Sequence, residues 1–401
     1  MDSEINLHHR CDESLLYGES KILVVEDDQF GRAMIVGVLQ RQGFVHIIEA
    51  GDGQQAFDLA KEHEPDLIIM DIEMPVINGY ECTRLIRKHP KISLTPILVQ
   101  TGLSASDDKV EAFESGADDF LVKPIDAREL ILRVTVHLER EWMYKNIRDF
   151  GARLQDELNM ARKTQQVLLP TEKQIGDCAQ SYGVHINQLV KTSSEVGGDF
   201  WGIKVLSDTK FAVYLVDFSG HGVYAALNTF RLHTIIHQES DLHENPSAYM
   251  AHLNNTMCEL LPCGQFATMF YGVIDCDKGV LEFSTAACPP PLMFNCVTGD
   301  VERLLGDGFP LGAQSGVGYD QRVVDFGSKH MLLLYSDALI ETPDEKSEFI
   351  SINDLIEKMK EYIAGAEDEP AKIFDKFLNF FNDNYAPRLK DDLTVNTYYR
   401  A

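Results

Sequence analysis

The chain has 401 residues, and its 63 acidic against 36 basic side chains give a formal net charge of −27. Its composition, 44% hydrophobic and 25% charged, is that of an ordinary globular protein, and its length allows about two to four domains. The negative charge disfavours binding to nucleic acid, because few cations are available to replace the counterions of a phosphate backbone.

The apolar runs and the first residues argue against membrane insertion and export. No run approaches the ~18 consecutive apolar residues of a membrane-spanning helix. Residues 1–19, which we expect to form a flexible tail, lack the basic and then apolar pattern of a secretory signal. The eight cysteines include no CxxC pair, which favours reduced thiols. We therefore expect a cytoplasmic protein with neither a membrane nor a nucleic acid as partner.

Residues 20–138 alternate short apolar runs with amphipathic helical patterns. The predicted strands cover residues 21–25, 66–70, 96–100 and 120–122, with helices between them. Runs that are apolar throughout suit parallel strands covered on both faces. The order of the elements predicts a doubly wound α/β domain with a flavodoxin-like sheet.

Residues 139–170 have the composition of a helical linker, with no proline before Pro170. Apolar side chains recur there at three- and four-residue steps, and the pattern weakens at Gly151 and Gln165; the repeating residues are Ile147, Leu154, Leu158, Ala161 and Leu168. This spacing predicts a long amphipathic helix. The helix either forms a parallel coiled coil in a homodimer or packs on its own domain.

Residues 171–401 change to strands that end in Gly, Pro and Asp turns. Strands are predicted over residues 211–216, 268–274 and 331–335. Helices are predicted over residues 224–237 and 247–261, with two more between residues 352 and 381. This pattern indicates an α+β domain of ~220 residues.

Polar residues follow the predicted strands of the first domain. Glu26 and Asp27 end the first strand, Asp71 ends the second, Thr101 follows the third and Lys123 follows the fourth. The carboxyl ends of strands in an open α/β sheet form one crevice. Packed carboxylates repel one another unless a cation joins them, so we expect bound Mg²⁺. Asp71 would be the nucleophile toward a phosphoryl group that Lys123 and Thr101 contact.

The segments KILVVEDD, IIMDIEMPVINGYE, ILVQTG and GADDFLVKPID resemble the response-regulator receiver domain over nearly its whole length. The resemblance implies phosphorylation of Asp71 by a sensor histidine kinase. It also implies that Thr101 and Phe120 form a switch pair that reorients on phosphorylation. The implied Mg²⁺ ligands are Glu26, Asp27, Asp71 and the backbone carbonyl of Glu73.

Four later segments place aspartates where turns meet strands, at Asp199, Asp217, Asp337 and Asp391 with its neighbour Asp392. Oxygen ligands beside glycines suit hard cations such as Mn²⁺ or Mg²⁺. Two such ions can supply a hydroxide near neutral pH and clamp a phosphoryl group. Each Gly-Asp pair taken alone is more typical of a simple turn than of a metal site.

These segments, with ARKTQQVLLP, PPPL and GFPLG, resemble the metal-dependent PPM phosphatases for phosphoserine and phosphothreonine, in their bacterial SpoIIE-like branch. The resemblance covers residues 161–399 and implies a β-sandwich flanked by helices. It implies two Mn²⁺ or Mg²⁺ ions bridged by Asp199 and Asp217, with the Phe218 carbonyl as a further ligand. Asp337 and Asp391 would complete the set, with Asp392 adjacent.

The chain departs from this branch at three positions. Gly202 stands where a second acid is common, Ala338 where the branch reads YSDG, and Cys288 where AGHPPP is usual. These departures remove no primary metal ligand, but each would weaken either the binding of a third metal ion or the positioning of the substrate. His221 is a candidate general acid, although its offset from Asp217 differs from that of the eukaryotic members.

The two resemblances together imply a two-component response regulator in which phosphorylation of Asp71 controls a protein serine/threonine phosphatase. The implied substrate is a phosphorylated, STAS-type anti-sigma-factor antagonist. The alternative is an adaptor that keeps the phosphatase fold and binds a sigma factor or anti-sigma partner without hydrolysis. The intact aspartates favour the enzyme, because a scaffold has no use for clustered carboxylates. The departures at Gly202, Ala338 and Cys288 leave the adaptor as an alternative hypothesis.

Overall fold

The computed structural model describes residues 18–102, 106–193, 196–220, 222–238, 240–262, 264–365 and 369–401. Most of the predicted tail, residues 1–17, lies outside the described residues, as does His221. The chain divides into two compact units between Arg153 and Leu154. No helix among the described residues is both long enough and apolar enough to span a membrane.

The first unit contains a five-stranded parallel sheet with the strand order β2-β1-β3-β4-β5. Its strands are β1 Lys21–Val25, β2 His46–Ala50, β3 Leu67–Asp71, β4 Ile97–Thr101 and β5 Asp119–Val122. Its helices are α1 Gln29–Gln42, α2 Gly53–His63, α3 Gly79–Arg87, α4 Ser106–Glu114 and the first part of α5 Ala127–Gln166, whose residues from Leu154 onward belong to the second unit. Apolar clusters cover both faces of the sheet, which confirms the doubly wound fold.

The four strands predicted in this unit are present, but the fifth, β2, was not predicted. The segment His46–Ala50 lies at the sheet edge and only its last residue is buried. An edge strand of this kind needs no continuous apolar run, so the pattern used for the buried strands did not detect it.

The last helix of the first unit and the predicted linker are one continuous helix of 40 residues. The predicted boundary between residues 138 and 139 therefore lies inside α5. Gly151 does not interrupt the helix, in keeping with the modest cost of about 1 kcal/mol for glycine in a helix interior.

The second unit contains two five-stranded sheets, ordered β13-β10-β9-β8-β7 and β12-β11-β14-β15-β6. Its strands are β6 Val184–Lys191, β7 Asp199–Val205, β8 Lys210–Phe218, β9 Ala267–Asp275, β10 Val280–Ala286, β11 Leu292–Asn295, β12 Val301–Arg303, β13 Arg322–Asp325, β14 His330–Tyr335 and β15 Leu393–Arg400. Its α-helices are α6 Glu172–Tyr182, α7 Val223–His237, α8 Pro246–Leu260, α9 Ala338–Glu341, α10 Ile352–Ala364 and α11 Pro370–Asn384.

Three apolar clusters hold these layers together. One lies between the two sheets, where Trp201 and Phe211 of the first sheet share a core with Leu332 of the second. A second joins α7 and α8 to the outer face of the first sheet, and a third joins α10 and α11 to the second sheet. The arrangement is a β-sandwich with helices on both outer faces, as the sequence predicted.

Candidate functional site

The carboxyl end of the first unit's sheet gathers three acids. Each of Glu26, Asp27 and Asp71 offers a carboxylate oxygen, and these atoms lie within 4.8 Å of one another. Glu26 and Asp71 are buried, whereas Asp27 is exposed. The parallel register of β1 and β3 places both strand ends at the same edge, which produces this convergence.

Lys123 is the cation of this cluster. Its Nζ donates to Asp71 Oδ2 at 2.8 Å and to Glu26 Oε2 at 3.0 Å. Burial raises the pKa of Glu26 to about 7; the Lys123 ammonium opposes this rise and the Asp71 charge adds to it. One ammonium therefore does not fully compensate the acids, and a divalent cation would complete the neutralisation.

The predicted switch residues lie on neighbouring strands. Thr101 is buried at the end of β4, and its carbonyl accepts a hydrogen bond from Lys123 N at 2.8 Å. Phe120 on β5 packs edge-on against Phe113, and the Arg133 guanidinium of α5 lies 5.7 Å from its ring centroid. Phe120 therefore contacts two helices of this unit, α4 and α5.

In the second unit, Asp199 and Asp217 face each other across the β7–β8 ladder as direct register partners. Asp199 begins β7, and Asp217 is the next to last residue of β8. Phe218 follows and donates its N–H to the Gly198 carbonyl at 3.4 Å. Antiparallel pairing of two strand ends thus brings together acids that are 18 positions apart in the sequence.

The second sheet contributes the other acids. Asp337 is the second residue after the end of β14, and Asp391 and Asp392 directly precede β15. The antiparallel pairing of β14 with β15 aligns these two ends, and Ser336 donates its N–H to the Thr394 carbonyl at 2.9 Å. Each sheet of the sandwich therefore presents acidic residues at one end.

Electrostatic coupling shows that the acids of both sheets form one cluster. Burial, with the nearby charges of Asp337 and Asp391, raises the pKa of Asp217 to about 7. Burial, with the charges of Asp217 and Asp392, raises the pKa of Asp199 well above its usual range. Burial and the neighbouring charges of Glu341 and Asp391 raise the pKa of Asp337 to about 6. The structure thus brings together the four aspartates predicted from the sequence.

The donor set of this cluster suits divalent cations. Both carboxylate oxygens of Asp199 are buried, and among the described residues only the side chains of Ser336 and Asp217 come near enough to interact with them as hydrogen-bonding groups. A buried carboxylate without a neighbouring cation is costly unless it is protonated or binds one. Oxygen donors of this type are the ligands that Mg²⁺ and Mn²⁺ prefer. The residue types present therefore suit the metal centre that the sequence implies.

Asp392 differs from the other acids because its carboxylate already accepts hydrogen bonds from two backbone N–H groups and one hydroxyl group. Its Oδ1 accepts hydrogen bonds from Ser193 N at 2.8 Å and Ser193 Oγ at 3.1 Å. Its Oδ2 accepts a hydrogen bond from Gly198 N at 2.6 Å. Asp392 therefore anchors the segment that leads into Asp199.

Ala338 has a local structural explanation, whereas nothing in the structure explains Cys288. Asp337 is the N-cap of α9 and Ala338 is the first residue of that helix, so position 338 lies in helical backbone, which does not need glycine. Cys288 is partly exposed and follows Ala287, whose φ of 53° is left-handed. The Gly of the usual AGHPPP pattern would relieve that backbone strain.

Two contacts of the second unit were not predicted from the sequence. Gln165, considered a weak point of the linker helix, is buried and bonds to Gly197 and Thr229. Ser336 Oγ donates to the Asp392 carbonyl at 3.1 Å and accepts from Thr394 N at 2.9 Å. Polar residues within otherwise apolar patterns were the available signal, but their partners are distant in sequence.

Comparison with known proteins agrees with this division of the chain. The family model of the response regulator receiver domain matches residues 22–135, and the model of Stage II sporulation protein E (SpoIIE) matches residues 207–398. Transcriptional regulatory protein SrrA of Staphylococcus aureus is 38% identical over 121 residues, which are 30% of this chain and 48% of SrrA. The chain thus spans about half the length of these curated relatives.

Two solved structures are similar to separate parts of the chain. The SiaA-PP2C domain of Pseudomonas aeruginosa is 19% identical with a TM-score of 0.54, covering 63% of this chain and 98% of that domain. The receiver domain of the Francisella response regulator 1452 is 31% identical with a TM-score of 0.29, covering 30% of this chain and 98% of that one. The chain therefore contains a response regulator receiver domain over residues 22–135 and a domain of the SpoIIE family over residues 207–398, whose fold is similar to that of a PP2C domain.

Proposed function

We propose that the chain is a metal-dependent protein serine/threonine phosphatase whose activity is controlled by phosphorylation of Asp71. The observation that supports hydrolysis most directly is the burial of the Asp199 carboxylate, without a neighbouring cation among the described residues, close to the charges of Asp217 and Asp392. An adaptor without metal would keep the cost of this burial and gain nothing from it.

The residues of the second unit have separable roles in this proposal. Asp199, Asp217, Asp337 and Asp391 would hold two Mn²⁺ or Mg²⁺ ions, with the Phe218 carbonyl as a further ligand. When bound, such ions supply a hydroxide near neutral pH and stabilise the charge of a phosphoryl group in transfer. Asp392 acts through the backbone, because its oxygens already accept three hydrogen bonds.

In the receiver domain, Asp71 would accept the phosphoryl group from a sensor histidine kinase. Glu26, Asp27 and Asp71 would bind one Mg²⁺ together with the Glu73 carbonyl. Lys123 already donates to Asp71 and would stabilise the added negative charge. The resulting change at Thr101 and Phe120 would shift the receiver between two states.

The proposed substrate is a phosphoserine or phosphothreonine on a STAS-type anti-sigma-factor antagonist. The match of residues 207–398 to the SpoIIE family supports this class of substrate. Dephosphorylation would allow the antagonist to bind its kinase partner and thereby change the availability of a sigma factor. The output would be transcriptional, without contact between this chain and DNA.

We also propose a homodimer through the exposed part of α5. Met143, Ile147, Phe150 and Leu154 are between 45% and 66% exposed and recur at steps of four, three and four residues. This spacing is the seam of a coiled coil, and a second copy of the helix would cover it.

Hydrolysis of p-nitrophenyl phosphate with and without Mn²⁺ tests the proposed enzyme. We expect Mn²⁺-dependent turnover that falls at least about 100-fold in Asp217→Ala. Asp277→Ala, which removes an exposed acid of the same unit, should retain the wild-type rate. A beryllofluoride mimic on the receiver should change the rate of the wild type. Absence of turnover under all these conditions would favour the adaptor and contradict the proposal.

A further inference from the structure

Four polar side chains lie in the core between the two sheets of the second unit. Strand β7 of the first sheet lies against β15 of the second. Trp201 on β7 and Thr394, Asn396 and Tyr398 on β15 have no exposed surface. Trp201 and Tyr398 share the apolar cluster between the sheets, and alternation along β15 places Thr394 and Asn396 on the same face as Tyr398. We call these four residues the polar column.

The polar column begins at the acid cluster. Asp199 is two positions before Trp201, so both side chains lie on the inner face of β7. Thr394 is the second residue of β15, two positions after Asp392. The column therefore extends from the acids into the sandwich along both sheets.

The polar atoms of the column lack protein partners. Trp201 Nε1, Thr394 Oγ1, the Tyr398 hydroxyl and both amide atoms of Asn396 are buried without a hydrogen bond of good geometry among the described residues. Burial raises the pKa of Tyr398, and the nearby Asn396 amide opposes this rise. Burying a polar group without a partner costs free energy, so a row of such groups in one core indicates ordered water.

The spacing and the chemistry of these groups suit water. Same-face residues on a strand are about 6.6 Å apart, and a water that makes two hydrogen bonds of about 2.8 Å each joins groups about 5.6 Å apart. Trp201 Nε1 only donates, Asn396 Oδ1 only accepts, and the two hydroxyls do both. The indole N–H would repel a cation, whereas water bonds to donors and acceptors alike.

A cavity of about 550 Å³ gives water a route to this region. Asp199, Thr192 and Gln188 are among the residues that line it. Thr192 Oγ1 is another buried polar atom without a partner among the described residues. Gln188 on β6 is the register partner of Asn396 on β15. The cavity therefore adjoins both Asp199 and the strand next to the polar column.

We propose that Asn396 is a positioning residue for the metal centre, acting on Asp199 through ordered water held by the polar column. The inference rests on the proposed function, because it places this water beside the proposed metal ligands. Groups that bond to a metal ligand change metal affinity by about 10- to 100-fold when they are lost. A group that acts through water should lie at the lower end of that range, so we expect about a tenfold change.

The first test is a crystal structure of the full chain, grown without metal, at a resolution that shows ordered water. We expect waters at hydrogen-bond distance, about 2.7–3.2 Å, from Trp201 Nε1 and from the Asn396 amide. A dry column, or protein groups bonded to these atoms, would overturn the inference. This result does not depend on whether the chain hydrolyses a phosphate ester.

The second test compares Asn396→Leu with Asn187→Leu, which makes the same change on the opposite face of the second sheet. Asn187 Nδ2 donates to Thr397 Oγ1 at 3.2 Å, so its loss removes a hydrogen bond within the protein. Titration calorimetry with Mn²⁺ measures the affinity, and the binding component lost in Asp217→Ala identifies the phosphatase site. We expect about tenfold weaker binding in Asn396→Leu and wild-type affinity in Asn187→Leu.

Wild-type Mn²⁺ affinity in a folded Asn396→Leu would overturn the inference, since a purely structural role changes the melting temperature and leaves metal binding unchanged. If Asn396→Leu does not fold, Thr394→Val removes one hydroxyl of the column and keeps the shape of the side chain. It should weaken Mn²⁺ binding by a smaller factor, and an unchanged affinity would contradict the inference.

Failure of the proposed function has a different signature. A wild type with neither Mn²⁺-dependent turnover nor a binding component sensitive to Asp217→Ala would overturn the proposed function, and this inference with it. A wild type that binds Mn²⁺ and hydrolyses p-nitrophenyl phosphate, together with an Asn396→Leu variant of equal affinity, would overturn this inference alone.

Discussion

Gly202 and Tyr214 lie directly opposite each other on β7 and β8, and the Tyr214 side chain fills the space above Gly202. A Cβ at position 202 would overlap the Tyr214 hydroxyl and lie 2.8 Å from its Cε2. Tyr214 is itself fully buried. The second acid that related phosphatases carry at this position therefore has no room here, and the two residues form a complementary pair.

We expect Gly202→Ala to lower the free energy of unfolding by about 1–3 kcal/mol, because it overpacks a filled core. In a Tyr214→Leu background the same substitution should lower the free energy of unfolding by less. The difference between the two losses is the coupling energy between positions 202 and 214. Urea denaturation of the four variants gives these values. Gly176→Ala is the control, since a Cβ there meets nothing within 4 Å. Equal costs in both backgrounds would contradict the steric explanation.

The sequence was sufficient to predict the central strands of the receiver and the acids at their ends. Strands β1, β3 and β4 are buried along their length, so their continuous apolar runs are informative. The edge strand β2 has no such run and was missed. Burial on both faces, more than strand propensity, made the successful predictions possible.

The pairings of the second unit were harder to predict. Gln165 contacts a glycine 32 positions away, and Tyr214 contacts Gly202 only because of the β7–β8 register. Helical spacing identifies a polar residue inside an apolar stripe but not its partner. The four aspartates were found because each lies in a recognisable segment, whereas the contacts that support them depend on tertiary packing.

Ala287 offers a direct test of backbone strain. Its φ of 53° lies in the left-handed region, which costs a non-glycine residue about 1 kcal/mol or more. Ala287→Gly should therefore raise the free energy of unfolding by about 0.5–1 kcal/mol, measured by urea denaturation. Ala286→Gly, at a fully buried strand position, should lower it. A destabilised Ala287→Gly would show that the side chain contributes more than the strain costs.

Phosphorylation of the receiver should depend on Asp71 alone among its acids. We expect acetyl phosphate with Mg²⁺ to phosphorylate the wild type, as detected by intact mass, and to leave Asp71→Asn unmodified. The amide cannot act as the nucleophile, although it retains the size of the carboxylate. Asp58→Asn, which changes an exposed acid of α2, should be phosphorylated normally. Phosphate retained by Asp71→Asn would place the acceptor elsewhere.

The exposed seam of α5 should control self-association. A charge at Ile147 or Leu154 would be buried in the proposed coiled coil, so Ile147→Glu and Leu154→Glu should each shift the chain toward monomer in sedimentation equilibrium. Gln155→Glu introduces the same charge at an exposed neighbouring position and should leave the association unchanged. A wild-type monomer, both with and without beryllofluoride, would end the dimer proposal.

The raised pKa values of the phosphatase acids predict how stability depends on pH in the absence of metal. Asp217 has a pKa of about 7 in the folded chain, against an ordinary value of about 3.9 in the unfolded chain. Between these values the folded state binds more protons than the unfolded state, so stability falls as pH rises through this window. Above about pH 7 the loss is complete, because both states are then ionised.

Differential scanning calorimetry in a chelator should therefore show a larger loss of stability from pH 5 to pH 7.5 for the wild type than for Asp217→Asn. The amide cannot ionise, so the difference between the two proteins isolates this group from other carboxylates. Mn²⁺ should raise the stability of the wild type more at pH 7.5 than at pH 5, because cations bind the ionised acids and stabilise only the folded state. As a control, Asp277→Asn should show the same dependence of stability on pH as the wild type. Parallel pH curves for the wild type and Asp217→Asn would show that Asp217 ionises normally, which contradicts the prediction.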